Sequence, residues 1–589
     1  MDKFVHPALF FILGAFLIPV FKGRLKQIFL LLMPAAAFYT VLNLGHGIYG
    51  EIHYLGFNII LGRVDRLSLV FAHVFTLMAF LGVLYGLHVK EDAQHIASFF
   101  YVGGSLGVVF AGDYLTVFIF WEMMAVASTF LIWFRREPAS IRAGFRYLLM
   151  HIFGGLLLLG GIFLHYKNTG SLAFELIPKS GAGFPEYLIM AGFALNAAVF
   201  PLHAWLPDAY PEATVTGAVF MCAFTTKTAV YVLARAFPGF DILAVMGTAM
   251  TIYGVCYATI ENDMRRILSY HIISQVGYMV AGVGIGTQLA VNGACAHAYA
   301  HILYKALLFM GAGSVLMMTG TSKLSELGGL YKYMPLSLIF YVVGGISISG
   351  FPLFSGFVSK SMVVAGAGEA HHPVLMVLML LASVGTFLSV GLKLPYFAWF
   401  GKDSGLQPKE PPKNMLWAMG ITSFLCFLIG VYPKVLYDLL PYREEAMKFH
   451  PYALPHLSET VQILLFTGLG FFLLLKRLTP EPKINLDFDW FYRKAVEGFM
   501  WFDHRFIHAF DYGWGELYRS LALKALMAFA RFFAWFDRWG IDGVVDNVAY
   551  GTQGFGNQVR KIQTGNIQHY LAAALLVFFV IVGVFWFLR

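Results

Sequence analysis

The chain has 589 residues, 59% of them hydrophobic and 13% charged, with a formal net charge of +8. Soluble proteins carry about 25% charged residues, so this composition excludes a soluble globular enzyme. Apolar runs recur from end to end and are too long for barrel strands, which leaves a helical membrane bundle. The positive charge lies in loops beside the membrane and gives no reason to invoke nucleic acid. Cys222, Cys256, Cys295 and Cys426 are scattered through apolar runs with no CxxC, so no iron–sulfur cluster or disulfide framework is supported. No cofactor and no metal is expected.

Read in order, the apolar runs predict an all-α polytopic membrane protein of about sixteen transmembrane helices. They lie near 7–21, 27–45, 66–89, 97–112, 114–134, 143–166, 186–206, 213–236, 241–260, 267–287, 289–318, 335–366, 374–400, 414–432, 460–476 and 569–588. The first run is followed by Lys22, Arg24 and Lys26 and not by a cleavage site, so no cleavable signal peptide is expected. Loops after odd-numbered runs hold more Lys and Arg, among them Arg135, Arg136, Arg265 and Arg266, which places them in the cytoplasm and both termini outside. The expected division is 1–96 and 414–476 as flanking transmembrane helices, 97–236 and 241–400 as two repeats, 484–568 as a lateral segment and 569–588 as a last span.

Ionisable residues inside these runs are costly and point to function. Glu122, in Trp121-Glu122, sits about eight residues into the fifth run. The seventh run ends in PLHAWLPDAYPEA, whose prolines break the helix; His203 and Asp208 either serve that mouth or cap a loop. Lys227 lies in the middle of the eighth run beside Thr225, Thr226 and Thr228. In Glu261–Met279, Asp263 and Arg266 are expected to form a surface ion pair, and His271 and Ser274 to hold water. The eleventh run, CAHAYAHILYKALLFMGAGS, places His297, His301 and Lys305 four residues apart on one helix face. This reads as a proton relay; the alternative, metal or haem ligation by the two histidines, lacks neighbouring Cys, Asp or Glu. The twelfth run is interrupted by Gly350 and Pro352, with Lys360 just beyond. Two interrupted runs in corresponding places suggest an inverted repeat of five helices. Lys393, nearer a cytoplasmic end, is expected to snorkel.

From Ile484 to His569 aromatics and charges interleave, as in FMWFDHRFIHAF and ARFFAWFDRW. The pattern predicts a long amphipathic helix lying laterally at the cytoplasmic interface. It would reach on the order of 100 Å and rest on neighbouring subunits, with glycines from Gly540 to Gly556 breaking it late.

Trp121-Glu122, FPLHAWLPDA, TKTAVYVLAR, RRILSYHIISQVGYM, HAYAHILYKALLFMGAGS, TSKLSELGGL and GFPLFSGFVSK together resemble the antiporter-like proton-translocating membrane subunits. These are shared by respiratory complex I, Mrp-type sodium/proton antiporters and energy-converting membrane-bound hydrogenases. The resemblance implies two inverted five-helix repeats, each forming half a proton path. It also implies roles for Glu122, Lys227, Lys305 with His297 and His301, and Lys360, as well as a lateral helix and a final anchoring helix. One position departs: Asn196 stands where the family usually has lysine, five residues before Pro201. The resulting expectation is a proton-translocating subunit, with sodium as an alternative coupled ion, of a multisubunit complex in the inner (cytoplasmic) membrane. Its rivals are a passive scaffold that clamps neighbouring subunits, an independent solute transporter, and a redox enzyme, which lacks any nucleotide, flavin or cluster motif.

Overall fold

The Gln288–Thr319 helix is the centre around which the first part of the molecule packs. Every residue from Leu289 to Val315 is buried. It touches Arg66–Gly86, Val215–Ala223, Met264–Ile285, Pro335–Ser349, Ser355–Glu369 and Lys413–Val431. The computed structural model describes residues 4–54, 56–482 and 485–589. The chain divides into two units, Met1–Asp489 and Trp490–Arg589.

Each predicted apolar run carries a helix. Among the described residues, 12 helices are long and apolar enough to cross a membrane. The other four runs fall short for identifiable reasons. Ala8–Val20 is short, and the seventh run stops at Asn196. The twelfth is split into Pro335–Ser349 and Ser355–Glu369. Met264–Ile285 is long enough but carries Arg265, Arg266, His271, Ser274 and Gln275.

The all-α expectation needs one correction. Gly47–Tyr54 and Phe57–Val64 form an antiparallel hairpin, paired from Gly47↔Val64 to Tyr54↔Phe57. Its second strand is tied into the bundle: Ile60 N donates to Asp113 Oδ2 at 2.8 Å and Ile60 O accepts from Gly112 N at 2.9 Å. A Cβ at Gly112 would lie 2.3 Å from Ile60, so only glycine permits this approach.

Asp113 and Asp263 each cap a helix, accepting from Thr116 N and Arg266 N, both at 2.9 Å. Asp113 also bridges to Ala173, and Asp263 to Lys323. Between these bridges lie Pro138–Thr169 and Gln288–Thr319, both 32 residues long and ended by left-handed Gly170 and Gly320. From 113 to 263, 138 to 288, 170 to 320 and 173 to 323 the interval along the chain is the same. The expected Asp263–Arg266 ion pair is corrected by the same geometry. Asp263 spends its carboxylate on the helix N-terminus and Ser322, while the Arg266 guanidinium donates to Pro207 O. A cap satisfies backbone donors that otherwise have no intrahelical partner.

Both broken runs are broken by backbone conformation. Ala198 takes φ +54° before Pro201, and Gly350 and Leu353 take φ +77° and +74° around Pro352. At Gly356 a Cβ would stand 1.8 Å from Ser347 O, so glycine lets the second half-helix start against the end of the first.

In the second unit the chain is helical from Trp490 to Arg560, with widened π turns at Asp503–Ile507, Arg519–Leu523 and Asp537–Asp542. The expected start at Ile484 lies outside the described residues. The expected late break at the glycines does not occur: the helix passes through Gly540, Gly543, Gly551, Gly554 and Gly556. An isolated glycine costs only about 1 kcal/mol against alanine, too little to stop a long helix. The helix is amphipathic. Lys524, Arg531 and Arg538 recur on one stripe, and Leu526, Phe529, Phe533 and Phe536 on another. Asn566 then caps Ile567–Phe587.

Candidate functional site

Among the described residues, four lysines are buried in the first unit, and three of them sit on the carbonyl end of a helix. Lys227 Nζ donates to Cys222 O at 2.6 Å and Thr226 Oγ1 at 3.0 Å. This carbonyl is freed because the helix is interrupted at Phe224, between Val215–Ala223 and Thr225–Ala236. Lys360 Nζ donates across the second break to Ile348 O at 3.0 Å. Lys393 Nζ donates to Thr259 O and Glu261 O at 2.7 and 2.8 Å. Helix C-termini carry unsatisfied carbonyls and partial negative charge, so ammonium groups are stabilised there. The snorkelling expected of Lys393 is thereby corrected: the side chain is buried and closes the Asp241–Ile260 helix.

Lys305 differs. It is fully buried in the middle of the central helix, and its Nζ has no hydrogen-bond partner among the described residues. Lys227 and Cys222 lie within electrostatic reach of it. His301, one turn earlier on the same face, feels Lys227, Lys305 and Lys360, and neither of its ring nitrogens has a protein partner.

His297 continues the line. Its Nδ1 is 3.1 Å from Ser359 Oγ, on the Lys360 helix, and its Nε2 is 3.2 Å from Gln275 Oε1. Ser359 gives its own hydrogen to Ser355 O at 3.0 Å, so Nδ1 of His297 is the donor to Ser359. With the Gln275 carbonyl facing the ring, Nε2 can donate to it, as in imidazolium, and the Tyr304 hydroxyl 3.4 Å away can donate to a bare Nε2. With the amide turned over, its NH2 meets the free Nε2 of the neutral ring. The pocket therefore satisfies His297 in either charge state. Tyr304 and Thr386 surround Gln275, His271 Nε2 meets Ser389 Oγ at 2.6 Å, and the Lys360 ammonium lies 5.2 Å from the centre of the Tyr278 ring. Lys227, Lys305, His301, His297 and Lys360 thus lie on one polar string through the buried interior.

Glu122 stands apart from the lysines. It is half-buried, its Oε1 has no protein partner, and a Cβ on Gly155 would meet that oxygen at 2.0 Å. Lys227 does not stand in for a lysine at position 196: it spends its ammonium on Cys222 and Thr226. Asn196 is fully buried at the end of its half-helix, with neither amide atom hydrogen-bonded to protein.

At the first break His203 is buried and its Nε2 meets Asp487 Oδ1 at 3.3 Å. Tyr253 and Tyr270 donate to the same carboxylate, Tyr270 at 2.7 Å. Phe488 packs on Phe200 and His203. Burial raises the cost of charging Asp487, but the bonds from His203 and the tyrosines outweigh it and hold the carboxyl down at about 2. Asp208, the other residue of that motif, accepts two bonds from Arg146 at 2.7 and 2.8 Å. Sequence reasoning missed Asp487, Gln275, Ser359 and Tyr304. Polar residues of this kind carry no signal until a distant partner is known. Among the described residues, no group of three or more His, Cys, Asp or Glu side chains is placed to hold a metal ion.

Residues 111–388 match the family model described as "NADH:quinone oxidoreductase/Mrp antiporter, TM". The chain is 34% identical over 322 residues to one of the Na(+)/H(+) antiporter subunits of Alkalihalophilus pseudofirmus, covering 52% of this chain and 65% of that protein. It is 29% identical over 419 residues to a probable K(+)/H(+) antiporter subunit of Rhizobium meliloti, covering 65% and 42%. The match thus spans 42% to 65% of the length of these relatives. A chain of the Mrp complex from Dietzia sp. DQ12-45-1b shares the fold at TM-score 0.65 and 20% identity, over 77% of this chain and 95% of that one. A chain of respiratory complex I from Thermus thermophilus does so at TM-score 0.64 and 23% identity, over 74% and 98%. In residues 111–388, therefore, the chain is similar to the transmembrane region that NADH:quinone oxidoreductases and Mrp antiporters share.

Proposed function

We propose that the protein translocates protons as an antiporter-like membrane subunit of a multisubunit respiratory or antiporter complex. The observation that carries this reading is Lys305: a fully buried ammonium site with no protein partner, midway along a string of groups that take and release protons. An unpaired charge in such a place is expensive, and the expense is explained if the residue alternates between charged and neutral forms. Lys227 on one side and His301, His297 and Lys360 on the other then exchange protons with it through water. In an interior of low effective dielectric, a charge change at one member alters its neighbours by kilocalories per mole. Gln275 accommodates both states of His297, so a proton can rest there and leave without stranding a donor.

The equal spacing of bridges, helices and glycine caps supports two inverted repeats, 97–236 and 241–400, within sixteen crossings. The charge asymmetry of the loops supports termini outside and a cytoplasmic side for the lateral segment in the inner membrane. Neighbouring membrane subunits, contacted by 484–568, are the proposed partners, and the relatives' names make Na+ or K+ the candidate exchanged ions. A passive scaffold would need none of the unpartnered ionisable groups. The test is proton flux in vesicles carrying the complex with Lys305→Ala: loss of flux with normal assembly supports translocation, and undiminished flux rejects it.

A further inference from the structure

His151 is an ionisable side chain that the string above does not use. It is fully buried on the Pro138–Thr169 helix. Its Nδ1 lies 2.9 Å from Tyr147 O. A carbonyl only accepts, so Nδ1 carries the hydrogen and the neutral ring presents a bare Nε2. That Nε2 has no partner among the described residues. The ring is held in place, stacked on Tyr147 at 3.9 Å between centroids and edge-on to Trp205 at 4.6 Å.

Two other unpartnered buried groups converge on this turn. Gly155 follows His151 by four residues, so both lie on one helix face, about 5–6 Å apart at their β-carbon positions. The absent side chain of Gly155 is what admits the Glu122 carboxyl, whose Oε1 takes the space of a Cβ. Asn196 arrives from the other side. The helices 138–169 and 184–196 touch backbone to backbone, Gly161 against Pro185 and Ile189, and Gly192 against Gly154 and Leu158. Extending that register brings Asn196 to the level of His151. Trp205 confirms the neighbourhood: its indole N–H bonds Leu195 O at 3.0 Å while its ring lies on His151.

We propose that His151 is the proton-accepting partner of Glu122 in the first half of the chain, with Asn196 orienting the water between them. The inference rests on the proton-translocation reading above. The protonated Glu122 carboxyl gives its hydrogen to an intervening water, and that water passes one to Nε2. Carboxylate and imidazolium result, and the water is regenerated. An amide offers two donors and an acceptor, so Asn196 holds this water in either orientation without adding a charge. Onward, Tyr147 lies within 3.4 Å of Thr225 and Tyr101 within 2.5 Å of it, two residues before Lys227. His151 also occupies, by the interval that relates the two 32-residue helices, the place that His301 holds beside Lys305, while Gly155 holds that of Lys305 itself.

The test uses the full chain with its co-purified membrane partners in proteoliposomes, reading proton flux and thermal midpoint together, with Lys305→Ala as the reference for translocation. His151→Gln is expected to lower flux about tenfold or more with an unchanged midpoint. Gly155→Ala, which removes no titratable group but displaces the Glu122 carboxyl, is expected to lower flux as well. Asn196→Lys placed in the His151→Gln background supplies a titratable group at the same level and is expected to restore at least half the flux. A purely structural histidine would not be rescued this way. Full flux in His151→Gln or Gly155→Ala, in a preparation where Lys305→Ala is inactive, overturns the assignment and leaves translocation standing. A loss that follows a fallen midpoint and is not rescued by Asn196→Lys also overturns it. Undiminished flux in Lys305→Ala overturns the translocation reading and this inference with it.

Discussion

Lys360 Nζ reaches back across the second break to donate a 3.0 Å hydrogen bond to Ile348 O, joining the two half-helices through a single ammonium group. The bond spans a gap that the backbone leaves open between Ser349 and Ser355. The residue proposed to carry a proton is thus also a structural clip, and the two duties are separable by substitution.

Lys360→Met removes both. It is expected to cost about 1.5–3 kcal/mol, the worth of a hydrogen bond to a charged group, and to abolish flux. Lys360→Arg keeps a donor for Ile348 O but holds its proton permanently. It should keep most of the stability and still transport nothing. Thermal melting and vesicle flux, measured on both variants, check this; a transporting arginine variant would remove Lys360 from the path.

Glu122→Gln should leave assembly intact and stop proton movement. The affected oxygen makes no bond to protein, so an amide of the same shape should change stability by no more than about 0.5 kcal/mol. Flux and size-exclusion profile of the purified complex decide it. Normal flux would show that this carboxyl is not on the route.

Gly356→Ala should be among the most damaging small substitutions in the chain. Its new Cβ would stand 1.8 Å from Ser347 O, a backbone atom that cannot swing aside. Forcing the half-helices apart is expected to cost about 1–3 kcal/mol and to break the Lys360–Ile348 bond. The thermal midpoint reads the first effect and flux the second; an unchanged midpoint would contradict the packing.

Asp487 predicts a pH dependence. Its carboxyl is depressed from 3.8 to about 2, so the folded state prefers the carboxylate. The stability this adds is complete above the unfolded value near 3.8 and is lost as pH falls through about 2. It amounts to about 2 kcal/mol. Asp487→Asn should remove it at neutral pH and leave His203, Tyr253 and Tyr270 without their anion. Hydrogen exchange is expected to quicken at Phe488 and across residues 200–205 in that variant. Exchange unchanged from the parent would show that the clasp does not hold the break.

Deleting Trp490–Arg589 should leave Met1–Asp489 folded, because the two units are separate sets of contacts. Membrane partners should no longer co-purify, since the exposed stripe of Leu526, Phe529, Phe533 and Phe536 goes with the deleted segment. Retention of the full set of partners would move the interface elsewhere.

The membrane class, the positions of the helices and the burial of Lys227, Lys305, Lys360, His297 and His301 were legible in the amino-acid sequence. Bilayer physics makes them so: a span needs a long apolar run, and a charge inside one is too costly to be incidental. The two breaks were legible for a similar reason, because proline and glycine act on the backbone locally. What only the tertiary structure decided depends on residues far apart in the chain. Asp487 meets His203 across 284 positions, and His297 meets Ser359 across 62. No local pattern announces such pairs. The same holds for His151, whose solitary place in an apolar run says nothing until Gly155 is seen to admit Glu122 beside it. The hairpin at Gly47–Val64 and the unbroken helix through Gly540–Gly556 show propensity outweighed. In the first, strand pairing and the bonds to Gly112 and Asp113 override glycine-rich sequence. In the second, a penalty of about 1 kcal/mol per glycine is spread along a helix whose many other residues favour continuing.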